Sequence, residues 1–254
     1  MSRYFLDTGP LVGVTFLHDL WRDEAERLFK TDNSLSTSRA VIYEYCNSTS
    51  ENSLDSVEVS WETDEGRFGD KFSKIRAAQT NLGIKLRSCA DEELDLETLV
   101  DEFIAVTRIE ENVFPQRLIR EIIRPNIRSF LREEIGGQQV TSKVAREAMD
   151  ALCDIIITDA LETRAQLQSR LTWGPTSEWT EEERNRRLWF VDGYVDKVIL
   201  CDANHQRNRN LIGKIVTSDK SHMYGNRDRI RAVLGLPVVY LKDEFADHDL
   251  PSPD

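Results

Sequence analysis

The chain has 254 residues, 40% hydrophobic and 31% charged, with 45 acidic side chains against 33 Lys and Arg and a formal net charge of -12. This is ample sequence for a buried core in one large domain, or in a small one carrying an insertion, and it reads as soluble and globular, with no stretch approaching a membrane span and no signal peptide before the first strand-like segment. An acidic chain repels a polyanion at long range, so any contact with nucleic acid must rest on local basic patches, bound cations or screening salt.

Arg3-Tyr4-Phe5-Leu6 is a mostly apolar run that ends abruptly in Asp7-Thr8-Gly9. As the first strand of a parallel α/β sheet it delivers Asp7 to the carboxyl edge, where such sheets bind ligands. Leu11 to Lys30 carries a helical stripe of Leu11, Phe16, Leu20, Ala25 and Leu28. Ser34 to Ser38 predicts a second short strand, and Arg39 to Ser48 a helix with Ala40, Val41, Ile42 and Tyr45 at apolar positions. Glu44 lies among them, and a carboxylate in so apolar a turn needs a partner.

Glu51 to Asp70, acidic and rich in Ser and Gly, reads as a long loop opening a helical section. Helical periodicity runs over Glu92–Thr107, Pro115–Glu134 and Val140–Leu171, with Gly136-Gly137 between the last two. Trp173 to Ser177 is a break, and Thr180 with Glu183 forms a capping box that opens a helix through Asp192, Asp196 and Leu200. Lys214–Thr217 is a strand ending in Ser218-Asp219, Arg227–Leu234 a helix stopped by Gly235, and Val238–Leu241 a last strand. The four cysteines (Cys46, Cys89, Cys153 and Cys201) show no metal-ligand spacing, which points to reduced thiols in a cytoplasmic setting.

Four acids share one context, an apolar element that suddenly presents a carboxylate: Asp7, Glu44, Asp196 and Asp219. Carboxylates that converge repel one another and coexist only with cations between them. Hard oxygen ligands of this kind suit Mg²⁺ or Mn²⁺, and such a site activates water and stabilises the leaving oxygen of a phosphodiester. Asp192, one helical turn before Asp196, is an alternative ligand, and Thr8, Thr217 and Ser218 are placed to orient a ligand or water. Any one of these acids, taken alone, reads more readily as surface; the set in this order is the specific signal. Asp202, on the same predicted helix, reads as solvated.

In order and context the set resembles PIN-domain ribonucleases, the group that includes the VapC-type toxins. Leu6-Asp7-Thr8 matches the family's opening strand with its Asp and hydroxyl, and Glu44 its helical Glu. Asp196-Lys197-Val198-Ile199-Leu200 matches its helical Asp, and Thr217-Ser218-Asp219 its strand ending. The resemblance covers 1–50 and 190–243 as the nuclease core, leaving 51–189 as a helical insertion much longer than the family's and 244–254 as a flexible tail. It implies a Rossmann-like central parallel sheet flanked by helices, Mg²⁺- or Mn²⁺-dependent hydrolysis of RNA, and an antitoxin-like protein or a second copy as partner. The rival is a PIN-like scaffold that binds RNA or protein with little catalysis.

Two basic features offer places for RNA. Arg207, Arg209, Lys220 and Arg227 make the surroundings of Asp219 locally basic. Arg117, Arg120, Arg124, Arg128 and Arg132 recur along one helix face, either as a phosphate-tracking stripe or as a solvated face paired with acidic neighbours. Trp173, Trp179 and Trp189 are candidates for base stacking or for packing at helix ends.

Overall fold

The computed structural model describes residues 2–17, 19–47, 54–90, 94–107 and 119–246. They form two compact units, one from Met1–Thr15, Trp21–Gly69 and Thr163–Asp254, the other from Phe16–Leu20 and Asp70–Glu162. The sheet unit therefore draws on segments assigned above to the insertion, including 54–69 and 163–189.

In the first unit five strands, β1 (Arg3–Leu6), β2 (Ser34–Thr37), β3 (Thr172–Trp173), β4 (Lys214–Thr217) and β5 (Val238–Tyr240), make one parallel sheet in the order β3-β2-β1-β4-β5. Tyr4, Phe5 and Leu6 are all buried, the continuous apolar run expected of a central strand covered on both faces. β2 and β3 lie on one side of β1, and β4 and β5 on the other. The winding therefore reverses between β1 and β4, and the crevice at their carboxyl ends is where an open α/β sheet receives ligands.

Two elements depart from expectation. The stripe over Leu11–Lys30 is two helices, α1 (Thr8–Thr15) and α2 (Arg22–Lys30). All of α1 is buried, so it shows no polar face for periodicity to detect. Gly13 lets the two pack closely, since a Cβ there would stand 3.0 Å from that of Trp21. The segment after β2 begins as α3 (Arg39–Ile42) and widens into a π-helical turn, Tyr43–Asn47. Such turns are uncommon and occur often at functional sites.

The helical unit contains most of α4 (Gly66–Arg87), α5 (Leu96–Thr107), a π-helical turn (Ile119–Ile123) leading into α6 (Arg124–Ile135), and most of α7 (Ser142–Arg170). Its core is Ile75, Leu82, Phe103, Leu131, Leu152 and Ile156 with their neighbours. Pro125 starts α6 in its first turn, where its missing N–H costs nothing, and Gly136 ends it at φ 60. Arg117 and the start of the helix expected from Pro115 lie outside the described residues.

Returning to the sheet unit, the capping box at Thr180 and Glu183 opens α8 (Glu181–Arg187). That helix stops well short of Asp196, which belongs to a separate helix, α9 (Tyr194–Asn208). α10 (Arg227–Leu234) and a short α11 (Leu241–Glu244) complete the unit. Glu244, expected in the tail, accepts from Tyr4 Oη at 2.9 Å and Lys214 Nζ at 2.7 Å. Only Asp247–Asp254 of the expected tail falls outside the described residues. No helix among the described residues is long and apolar enough to cross a membrane.

Candidate active site

Asp7 follows β1 directly, and its backbone N–H donates to Val216 of β4 at 3.0 Å. Its carboxyl is 6% exposed and accepts from Thr217 Oγ1 at 2.7 Å. Thr217 Oγ1 also accepts from the N–H of Asp219 at 2.9 Å, so its single proton is committed to Asp7. One hydroxyl thus ties together the first and last acids of the set across the β1–β4 crevice. The same closeness explains Gly9, where a Cβ would stand 1.8 Å from Ser218 Oγ.

Glu44 has the partner that its apolar turn demanded, and in fact two. Thr8 Oγ1 donates to Glu44 Oε2 at 2.5 Å, and the guanidinium of Arg67 pairs with Oε1. Arg67 is the residue the sequence reading missed. It lies inside the segment read as a loop, but α4 begins one residue before it. Gly66, at φ +62, brings it there: a Cβ would meet Glu44 O at 2.5 Å and Tyr45 O at 2.9 Å. Glu65 N–H donates to Cys46 O at 2.9 Å, fastening the start of α4 to the π-helical turn. The only sequence signal for this role was a Gly-Arg pair in an acidic stretch.

Asp196 stands in the first turn of α9. Burial, and then the negative charges of Asp7, Glu44 and Asp219, push its carboxyl up to about 7. Asp7 is pushed up to about 6 by burial and by Glu44, against the pull of the Thr217 hydroxyl and the Arg67 charge. Asp196 thus feels the other three acids of the set, and Asp7 feels Glu44. Asp219 differs from the rest. Burial disfavours its charge, but donors in its own loop (the N–H groups of Ser221 and His222 at 2.9 and 3.0 Å, and the Ser221 hydroxyl at 3.0 Å) hold it below the usual carboxylate range. His222 Nδ1 lies 3.2 Å from its other oxygen.

Among the described residues, no group of three or more His, Cys, Asp or Glu is arranged to hold a metal ion. The donors are of the type that suits Mg²⁺ or Mn²⁺. Their present arrangement gives both Glu44 oxygens to protein partners and one Asp219 oxygen to its own loop. The fit is one of chemistry, and the Arg67 charge competes with an ion for Glu44.

Asp192 is exposed in the connection before α9 and does not share a helix with Asp196, because the chain breaks between Arg187 and Tyr194. Asp202 is not solvated: it is 1% exposed, accepts the Ser177 N–H at 2.7 Å, and is pushed up to about 6 by burial. Lys220 and Arg227 are exposed in the segment that follows β4. Arg209 is exposed at the carboxyl end of α9, next to Asn210, whose carbonyl accepts from Arg3 at the start of β1, and Arg207 is half-buried against Gly235 before β5. These two lie toward the amino ends of the strands, away from Asp219 and the crevice. In the helical unit Arg124 pairs with Asp101 at 2.5 Å, and Arg128 grips both oxygens of Glu97 at 2.6 Å. Those two cations are spent on α5, as a solvated paired face requires, and Arg120 remains exposed. Trp179 lies under the guanidinium of Arg187 at 4.5 Å. Trp173 is 45% exposed at the carboxyl end of β3 and lines, with Val59, Ser60, Trp61 and Gln168, a cavity of about 320 Å³.

Comparison with protein-family models, curated proteins and solved structures returned no match.

Proposed function

We propose that this chain is a metal-dependent endoribonuclease of the PIN type, hydrolysing RNA phosphodiester bonds at the β1–β4 crevice. The observation that supports the reading is that Asp196 feels the charges of Asp7, Glu44 and Asp219, which come from three other segments, with Asp7 and Asp219 following the two strands between which the winding of the parallel sheet reverses. Burial of so many like charges costs stability, and a site that accepts this cost is a functional candidate. Mg²⁺ or Mn²⁺, held by Asp7, Glu44 and Asp196 with Asp219 beside them, would supply a water acidic enough to attack phosphorus and a counter-charge for the leaving oxygen.

The chain's own residues prepare that site. Thr217 keeps its proton on one Asp7 oxygen, and Thr8 fixes the orientation of Glu44. Lys220 and Arg227, exposed in the segment after β4, offer positive charge for the RNA backbone. The test is cleavage of mixed RNA and single-stranded DNA with and without Mn²⁺. Wild type cleaves RNA when Mn²⁺ is added and Asp7→Asn does not; undiminished cleavage by Asp7→Asn rejects the assignment. A second reading, a PIN-like scaffold that binds RNA or protein without turnover, is favoured by one observation: Arg67 sits where a cation would be needed. Mn²⁺-independent RNA binding with no cleavage would select it.

A further inference from the structure

Arg67 is a cation that acts on Asp7, Glu44 and Asp196 together, and its position is built rather than incidental. The left-handed Gly66 and the Glu65–Cys46 backbone bond set the first turn of α4 on the very turn that carries Glu44. The Arg67 side chain is 51% exposed while that of Glu44 is 14% exposed, so the guanidinium covers Glu44 from the solvent side. Its charge also acts on Asp7 and Asp196, and all three carboxylates favour it. With Thr8 on the other oxygen, each Glu44 oxygen already has a protein partner that an incoming ion must compete with or share.

We propose that Arg67 is the resident counter-ion of the pocket, displaced from Glu44 when a divalent cation enters and then presented to the backbone phosphate of the RNA. The inference rests on the nuclease reading above. Its physical basis is exchange of one cation for another. A divalent ion neutralises more charge than a guanidinium, and the released arginine, half in solvent at the mouth of the crevice, meets phosphate with the planar fork suited to bidentate binding. Exchange on an exposed side of the pair avoids the heavy cost of stranding a fully buried charge.

Titration of Mn²⁺ into the metal-free full chain, followed by calorimetry without RNA, tests the first half. Arg67→Gln removes the competing charge and is expected to bind Mn²⁺ at least about tenfold more tightly than wild type, a change of about 1.4 kcal/mol. Arg67→Lys keeps the charge without the fork and should fall between the two; it also keeps the test open if Arg67→Gln does not fold in chelator. For the second half, binding of a single-stranded oligouridylate is measured against salt with Ca²⁺ replacing Mn²⁺ to suppress cleavage. Loss of one phosphate contact should lower the slope by about 0.7 in Arg67→Gln. Wild-type Mn²⁺ affinity in Arg67→Gln, or an unchanged salt slope, overturns the proposal and leaves the nuclease reading standing. Absence of Mn²⁺ binding in all three proteins overturns both.

Discussion

Replacing Asp7 by Asn is expected to make the metal-free protein more stable while abolishing cleavage. Burial and the Glu44 charge raise the Asp7 carboxyl from 3.8 to about 6. At about 1.4 kcal/mol for each tenfold change, holding that carboxylate ionised in the folded protein costs up to about 3 kcal/mol above pH 7. A carboxyl raised in this way favours the fold fully below its unfolded value, and the advantage is lost as pH climbs through the folded one. Asn has the same shape, still accepts the Thr217 hydroxyl, and carries no charge. Its gain should therefore approach about 3 kcal/mol at pH 8 and shrink below about 1 kcal/mol at pH 4. For a chain of this size each kcal/mol moves the midpoint by about 2–4 °C. Thermal melts in chelator, followed by circular dichroism, should show Asp7→Asn melting several degrees above wild type at pH 8 and close to it at pH 4. A lower midpoint at pH 8, or an equal shift at both pH values, refutes the idea that Asp7 is held charged against its surroundings.

Other expectations follow from single contacts. Thr217→Val leaves Asp7 without its hydroxyl donor and the Asp219 N–H without its acceptor, and should destabilise by about 1–3 kcal/mol in urea unfolding; a change within error would mean that the hydroxyl is dispensable. Gly66→Ala forces a side chain into a left-handed position and against the Glu44 carbonyl, so it should cost more than about 2 kcal/mol and, in a crystal structure, part Arg67 from Glu44. Trp173→Ala removes an exposed wall of the cavity with Trp61 and Gln168, and oligouridylate affinity should fall about fivefold or more if a base stacks there; unaltered affinity in a fluorescence titration assigns Trp173 to packing.

The elements that could be read in advance are those whose signal is local. β1, β2 and β4 carry short strand runs ending in Asp7, Ser38 and Ser218-Asp219, and the capping box at Thr180 and the stop at Gly235 are chemistry within four residues. Legibility failed where packing overrode pattern. α1 is buried all round, so it offered no polar face from which its end could be read. The two-residue β3 is too short for periodicity to report and exists because it pairs with β2. Asp192 was placed a helical turn from Asp196 because the break between α8 and α9 carries only one glycine, Gly193. Asp202 looked solvated because an acid on a helix usually is, whereas here the Ser177 backbone closes over it.

The amino-acid order alone determined which residue types stand at the ends of which strands, and thus that Asp7 and Asp219 would meet once β1 and β4 became neighbours in a parallel sheet. What it left open was what balances the charge they bring. Charge balance depends on distances between segments far apart in the chain, and Arg67 reaches Glu44 only because Gly66 turns α4 onto the π-helical turn. That contact has no local signature, since Coulomb attraction acts through space and leaves no period in the sequence.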